Sequence, residues 1–125
     1  MFEQYTGPIQ KYSKGSIVSL DTKCAIAFSG SFAEEAGLKN YKSCLLYFDK
    51  ETGEVGIKFL ECDPEPKNHT FRVRQRKNTG PTISAAAFCK YYGIKPDKVT
   101  RYKPRLEKDG SLPFVIFSTR EPCDA

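Results

Sequence analysis

The sequence predicts an α+β, strand-dominated fold. Two repeated strand–strand–short helix–hairpin units are expected to pack as one pseudo-two-fold antiparallel sheet or barrel. Three observations carry that expectation. Short apolar or alternating runs recur along the chain, each closed by Gly, Pro or polar turn residues, which is how strands read in sequence. Two short helical segments end alike, at Gly37-Leu38 and at Gly93-Ile94, with glycine supplying a left-handed stop. The order of elements in residues 16–62 recurs in residues 70–118, so that Phe32 to Lys39 aligns with Phe88 to Lys95 at a period of 56 residues. A four-stranded unit cannot bury its sheet face alone, so the halves should share one core.

The elements follow in order. Residues 1–15 show no period and read as a flexible arm. Ile17 to Leu20 and Cys24 to Phe28 read as strands around a turn at Asp21-Thr22-Lys23. Ser31-Phe32-Ala33-Glu34 has the form of a capping box, and Gly37 ends that helix. Ser43 to Asp49 and Glu54 to Leu60 read as a hairpin around Lys50-Glu51-Thr52-Gly53, with Gly53 at positive φ. Pro64 and Pro66 mark a connector over 63–69. Thr70 to Arg76 is a strand, and Pro81 to Ile83 a weak second one. Ser84 opens the second helix, with a hydrophobic staple from Ile83 to Phe88. Val99 to Leu106 and Leu112 to Ser118 form the last hairpin, with Pro113 pointing to an edge or a bulge. Residues 119–125 read as a frayed, flexible end. The expected organisation is one domain, 1–125.

The 125 residues are 39% hydrophobic and 28% charged. That balance suits a soluble globular chain and excludes the disordered and membrane-spanning classes. No leader pattern opens the chain and no run approaches the ~18 apolar residues a bilayer needs, so a cytoplasmic location without a membrane partner is expected. The five cysteines include no CxxC and read as free thiols. Cys24, Cys44 and Cys89 lie among apolar residues. Cys62 and His69 are the one close Cys/His pair, too few ligands for a metal site. No cofactor motif, nucleophile elbow or metal motif appears, so the expectation is no enzyme, no cofactor and no metal.

The net charge of +5 is uneven. Residues 1–62 hold seven Lys, no Arg and eight acids, a net of −1, whereas residues 63–125 hold seven Lys, six Arg and seven acids, a net of +6. The excess gathers on two strand patterns. Side chains on a strand alternate faces, so Arg72, Arg74 and Arg76 point one way while Phe71 and Val73 point inward, and Lys77 extends the row. Arg101, Lys103 and Arg105 share a face opposite Tyr102. In one sheet, six such cations would line one surface, and their mutual repulsion calls for a phosphate or carboxylate partner. The arginine fork suits both. Tyr41, Tyr47, Tyr91, Tyr92 and Tyr102 are candidates to stack on bases beside those cations.

The run from Ile17 to Phe28, then Ser31 to Leu38, then Ser43 to Leu60 resembles the swapped-hairpin unit of AbrB/MazE-type regulators, and about 45 residues of each half fit it. The resemblance implies a DNA-binding transcriptional regulator in which two units pair into a barrel. The Gly-Arg pair usual before that unit's second strand is replaced here by Lys23-Cys24 and by Thr79-Gly80-Pro81. A looser resemblance is to Whirly-type single-strand binders. The expected function is a small regulatory protein that binds nucleic acid, DNA ahead of RNA, through Arg72, Arg74, Arg76, Lys77, Arg101, Lys103 and Arg105. The alternative is a non-enzymatic interaction or inhibitor module docking an acidic protein on the same face. A homodimer is compatible with either.

Overall fold

Alternating apolar residues become strands wherever a glycine or an aspartate turn closes them. The computed structural model describes residues 16–61, 70–76, 80–109 and 112–123. The arm 1–15, the connector 63–69 and Lys77 lie outside the described residues. The first half runs β1 (Val18–Leu20), β2 (Ala25–Phe28), α1 (Gly30–Ala36), a single 3-10 turn (Leu38–Asn40), β3 (Ser43–Asp49) and β4 (Glu54–Leu60). The second runs β5 (Phe71–Arg74), β6 (Thr82–Ser84), α2 (Ala86–Tyr92), β7 (Thr100–Tyr102), β8 (Arg105–Asp109) and β9 (Leu112–Ser118).

All nine strands join one antiparallel sheet in the order β7-β1-β2-β6-β5-β3-β4-β9-β8. The end strands β7 and β8 are separated in sequence only by Lys103 and Pro104. A flat sheet of this width would hold its edges roughly 38 Å apart, far beyond the ~11 Å reach of three residue steps. The sheet therefore curls until its edges meet. Tyr102 of β7 lies 5.0 Å, ring to ring, from Phe117 of β9 across that seam. The strand expected over Val99–Leu106 is thus two strands, because Pro104 lacks an N–H for a ladder and the chain changes partner there, from β1 to β9.

The interior takes the inward residues of every strand. Val18, Ile26, Cys44, Ile57, Ile83 and Val115 are each fully enclosed, and Phe59 and Phe117 are among the largest buried side chains. Phe28 bridges α1 to the sheet, 6.4 Å from Phe32 and 5.7 Å from Phe59. Gly80 is required by close approach: a Cβ there would stand 2.0 Å from the Phe28 carbonyl oxygen.

Both helix stops behave as expected. Gly37 and Gly93 each have φ 70, and each donates its N–H back into the last turn. Both starts shift. Ser29, not Ser31, is the N-cap of α1, and its hydroxyl accepts from the Ile17 N–H instead of capping, so no capping box forms. Ala85 is the N-cap of α2, since Ser84 is still in β6 and paired with Ala25. Pro113 is neither at an edge strand nor at a bulge. It lies in β9, opposite Lys108 of β8 and one residue beyond the last β4 pairing, so its missing N–H costs β4 nothing.

The frayed end is also corrected for residues 119–123. Thr119 donates from its N–H and its hydroxyl to the Gly53 carbonyl at 2.9 and 2.6 Å, and the Arg120 guanidinium donates to the carbonyls of Glu51 and Lys50. Pro122 bridges to Tyr102, and Cys123 N–H donates to the Arg101 carbonyl at 2.7 Å. Among the described residues no helix is long and apolar enough to cross a membrane.

Candidate nucleic-acid interface

The row of cations on β5 forms as the alternation requires. Val73 is 3% exposed and Phe71 packs on the core, whereas Arg72 and Arg74 stand in solvent on the other face. Arg76 lies past the strand end and is also exposed. The strand is short because β3 pairs with it only at Ser43–Arg72 and Cys44–Phe71. One more bond, Val73 N–H to the Lys42 carbonyl at 2.8 Å, extends the contact. The Gln75 carboxamide then donates to the carbonyls of Leu38 and Tyr41, at 3.0 and 2.7 Å. Gln75 thereby ties the end of β5 to the turn before β3.

That tie opens a cleft of about 530 Å³ lined by Lys42, Arg72, Val73, Arg74 and Gln75. Lys42 has no place in the charge rows of the sequence. Its only signal is proximity to the start of β3, and its role depends on β3 pairing with β5. The ion pairs among the described residues both use Arg105, so Lys42, Arg72 and Arg74 in the cleft, and Arg76 exposed past the strand end, have no carboxylate paired with them.

The other cations do not join this row. Three strands separate β5 from β7 in one direction and from β8 in the other, which is roughly 19 Å along the sheet either way. The six cations therefore do not line one surface. Arg101 is exposed on β7 opposite Ser19. Lys103 sits at the seam, on a small cavity with Ser16, Phe32 and Glu35. Arg105 is neutralised, with its guanidinium 3.2 Å from both Glu54 and Glu107. Lys77 lies outside the described residues.

Exposed aromatic side chains lie on the other face of the same strand. Phe71 and Arg72 are consecutive on β5 and so point to opposite faces. Phe71 lines a groove of about 540 Å³ with Leu45, Tyr47, Phe88 and Tyr91. Tyr91 is 78% exposed and Tyr47 45%. Tyr47 also stacks on Phe114, 5.7 Å and 22° apart, across Gly56 of β4. A Cβ at Gly56 would stand 2.8 Å from the Phe114 ring, so the glycine makes room for that stack. Of the five tyrosines offered for stacking, Tyr102 is buried at 6%, and Tyr41 and Tyr92 are half-buried against the core.

Two of the thiols are held in the protonated form by burial. Burial pushes the Cys44 thiol up to about 12, and burial followed by its neighbour Cys24 does the same to Cys89. Cys24, Cys44, Cys89 and Cys123 are free. Cys62 and His69 lie outside the described residues, and among the described residues no group of three His, Cys, Asp or Glu side chains is placed to hold a metal ion.

Compared with known proteins, the chain matches no family model, no curated sequence and no solved structure. Fold and site define a class only: a curled antiparallel α+β sheet that carries, among the described residues, a basic cleft without a paired carboxylate and a separate groove with exposed aromatic side chains.

Proposed function

We propose that the protein binds nucleic acid through the cleft of Lys42, Arg72 and Arg74, together with Arg76 just past the strand end. The observation that carries this reading is a set of three cations lining one concavity, with Arg76 exposed next to them and no carboxylate paired with any of the four, whereas Arg105 does have partners. A fold tolerates such repulsion more easily when a phosphate backbone supplies the compensating charge. Phosphate contacts set affinity and register and carry little sequence information. DNA stands ahead of RNA because of the swapped-hairpin resemblance, and a regulatory role follows from the same source.

A tandem origin belongs to this reading. It is supported by the pairing pattern. β1–β2 corresponds to β5–β6, and β3–β4 to β8–β9. β2–β6 and β4–β9 join each strand to its own counterpart, and β1–β7 corresponds to β5–β3. The matching left-handed stops at Gly37 and Gly93 add to it.

The test is an electrophoretic mobility shift with random single- and double-stranded oligonucleotides at two salt concentrations. Four phosphate contacts give a log–log salt slope of about −3.6 on duplex, so affinity should fall roughly a hundredfold between about 50 and 200 mM salt. Absence of any shift at low salt overturns the proposal. A second reading, docking of an acidic protein segment, is favoured by the apolar groove at Tyr47, Phe71 and Tyr91, reached from the same strand that carries the cations. It predicts no shift with either oligonucleotide and retention on the cleft of an acidic peptide.

A further inference from the structure

Cys24 is the one non-glycine residue with positive φ among those described, at 62°. It follows an Asp21-Thr22-Lys23 turn in which Cys24 N–H bonds to the Asp21 carbonyl at 3.0 Å. The Asp21 carboxylate accepts from the N–H groups of Lys23 and Ala25, both at 2.9 Å. After such a turn the left-handed position belongs to glycine or asparagine, and a residue with another side chain holds it under strain. Here the backbone accepts that strain and presents a thiol.

The thiol is aimed at the second half of the chain. Cys24 Sγ donates to the Ile94 carbonyl at 3.9 Å. Ile94 in turn donates its N–H to the Cys89 carbonyl at 2.8 Å. The Cys24 carbonyl accepts from Ala85, the residue that starts α2, at 2.9 Å. Cys24 and Cys89 are thus held side by side by the same short stretch of backbone, near enough for their thiols to interact. Cys89 is buried at 2% exposure and Cys24 is half-buried, so Cys24 is the more accessible residue of the two.

We propose that Cys24 and Cys89 form an oxidisable dithiol, a modification site that a hydroperoxide converts to an intramolecular disulfide between β2 and α2. Cys24 Sγ attacks the terminal oxygen of the peroxide. The O–O bond breaks, a sulfenic acid forms on Cys24, and water or an alcohol leaves with the thiol proton. Cys89 Sγ then attacks the Cys24 sulfur and displaces hydroxide, which departs as water with the Cys89 proton. Two thiols are oxidised by two electrons and one peroxide is reduced. The high proton affinity of Cys89 makes Cys24 the first sulfur to react. The product ties the first half of the chain to the second, closing a loop of about 65 residues, and should raise Tm by about 5–10 °C.

The test uses the full reduced chain, stoichiometric hydrogen peroxide, and non-reducing peptide mapping. The expected result is a monomer lighter by two hydrogens, with the peptides holding Cys24 and Cys89 joined and released by dithiothreitol, and no cross-link in C24S or C89S. If C24S fails to fold, C24G replaces it, since glycine suits that φ. Recovery of both thiols reduced, over-oxidation of Cys24 without a cross-link, or pairing of either with Cys123 or with a second molecule overturns the proposal. The outcome is independent of nucleic-acid binding.

Discussion

Strands β5 and β8 each present arginine to solvent, yet the fold gives them opposite surroundings. On β5, Arg72 and Arg74 look into a cleft with Lys42 and meet no carboxylate. On β8, Arg105 is clamped between Glu54, brought by β4 across β9, and Glu107 of its own strand. An alternating cationic strand is a binding surface only where its sheet neighbours bring no acid. That is decided by pairing between residues far apart in sequence.

The largest effect expected on this comparison comes from the core beneath it. Cys44 lies opposite Phe71 of β5, and the Cys44 and Cys89 thiols titrate near 12 in the fold against about 8.5 in a free chain. Above the free value the unfolded chain binds fewer protons than the native one. Stability should therefore be intact below the range in which a free thiol ionises and fall as pH rises through that range toward about 12, where the native thiols ionise. Thermal melts at pH 8 and pH 10.5 check this, and Cys44→Val should flatten the slope.

Next in size, Arg72→Gln with Arg74→Gln should weaken nucleic-acid binding about 30-fold at moderate salt, while Tm moves by no more than about 2 °C, as for exposed surface residues. Fluorescence anisotropy and a melt on the same sample decide it, and a lost fold would make the arginines structural. Lys42→Gln should cost about 3- to 5-fold in the same assay, as one phosphate contact does. Smallest, Arg105→Gln should change binding less than about twofold and stability by less than about 1 kcal/mol, since its pairs are exposed and screened by salt. The complementary pair Glu54→Gln with Glu107→Gln sharpens the contrast, because it leaves Arg105 as unpaired as Arg72 and should raise affinity modestly.

What was legible in the sequence is what local chemistry decides. The β3–β4 hairpin appears within its expected bounds because Gly53, at φ 76, and Asp49, accepting from Glu51 and Thr52, define the turn locally. The alternation of Phe71, Arg72, Val73 and Arg74 is equally local. Lys42 was not legible, because it reaches the cleft only through the β3–β5 pairing. The split of the basic rows follows from the closure of the sheet at Lys103-Pro104, which no local pattern encodes. The start of α2 moved because Ser84 is still paired with Ala25 in β6, whereas α1 begins earlier than expected, at Gly30, with Ser29 as its N-cap and Ser31 already inside the first turn. The docking of Thr119 and Arg120 depends on where the β3–β4 turn lies in space.

The most direct test of the account is the salt dependence of duplex binding for the wild type, the Arg72→Gln/Arg74→Gln double variant and Arg105→Gln, measured side by side. The account predicts a log–log slope near −3.6 for the wild type, about −1.8 for the double variant and an unchanged slope for Arg105→Gln. Equal slopes for all three, or a loss at Arg105 as large as that at Arg72 and Arg74, would contradict it.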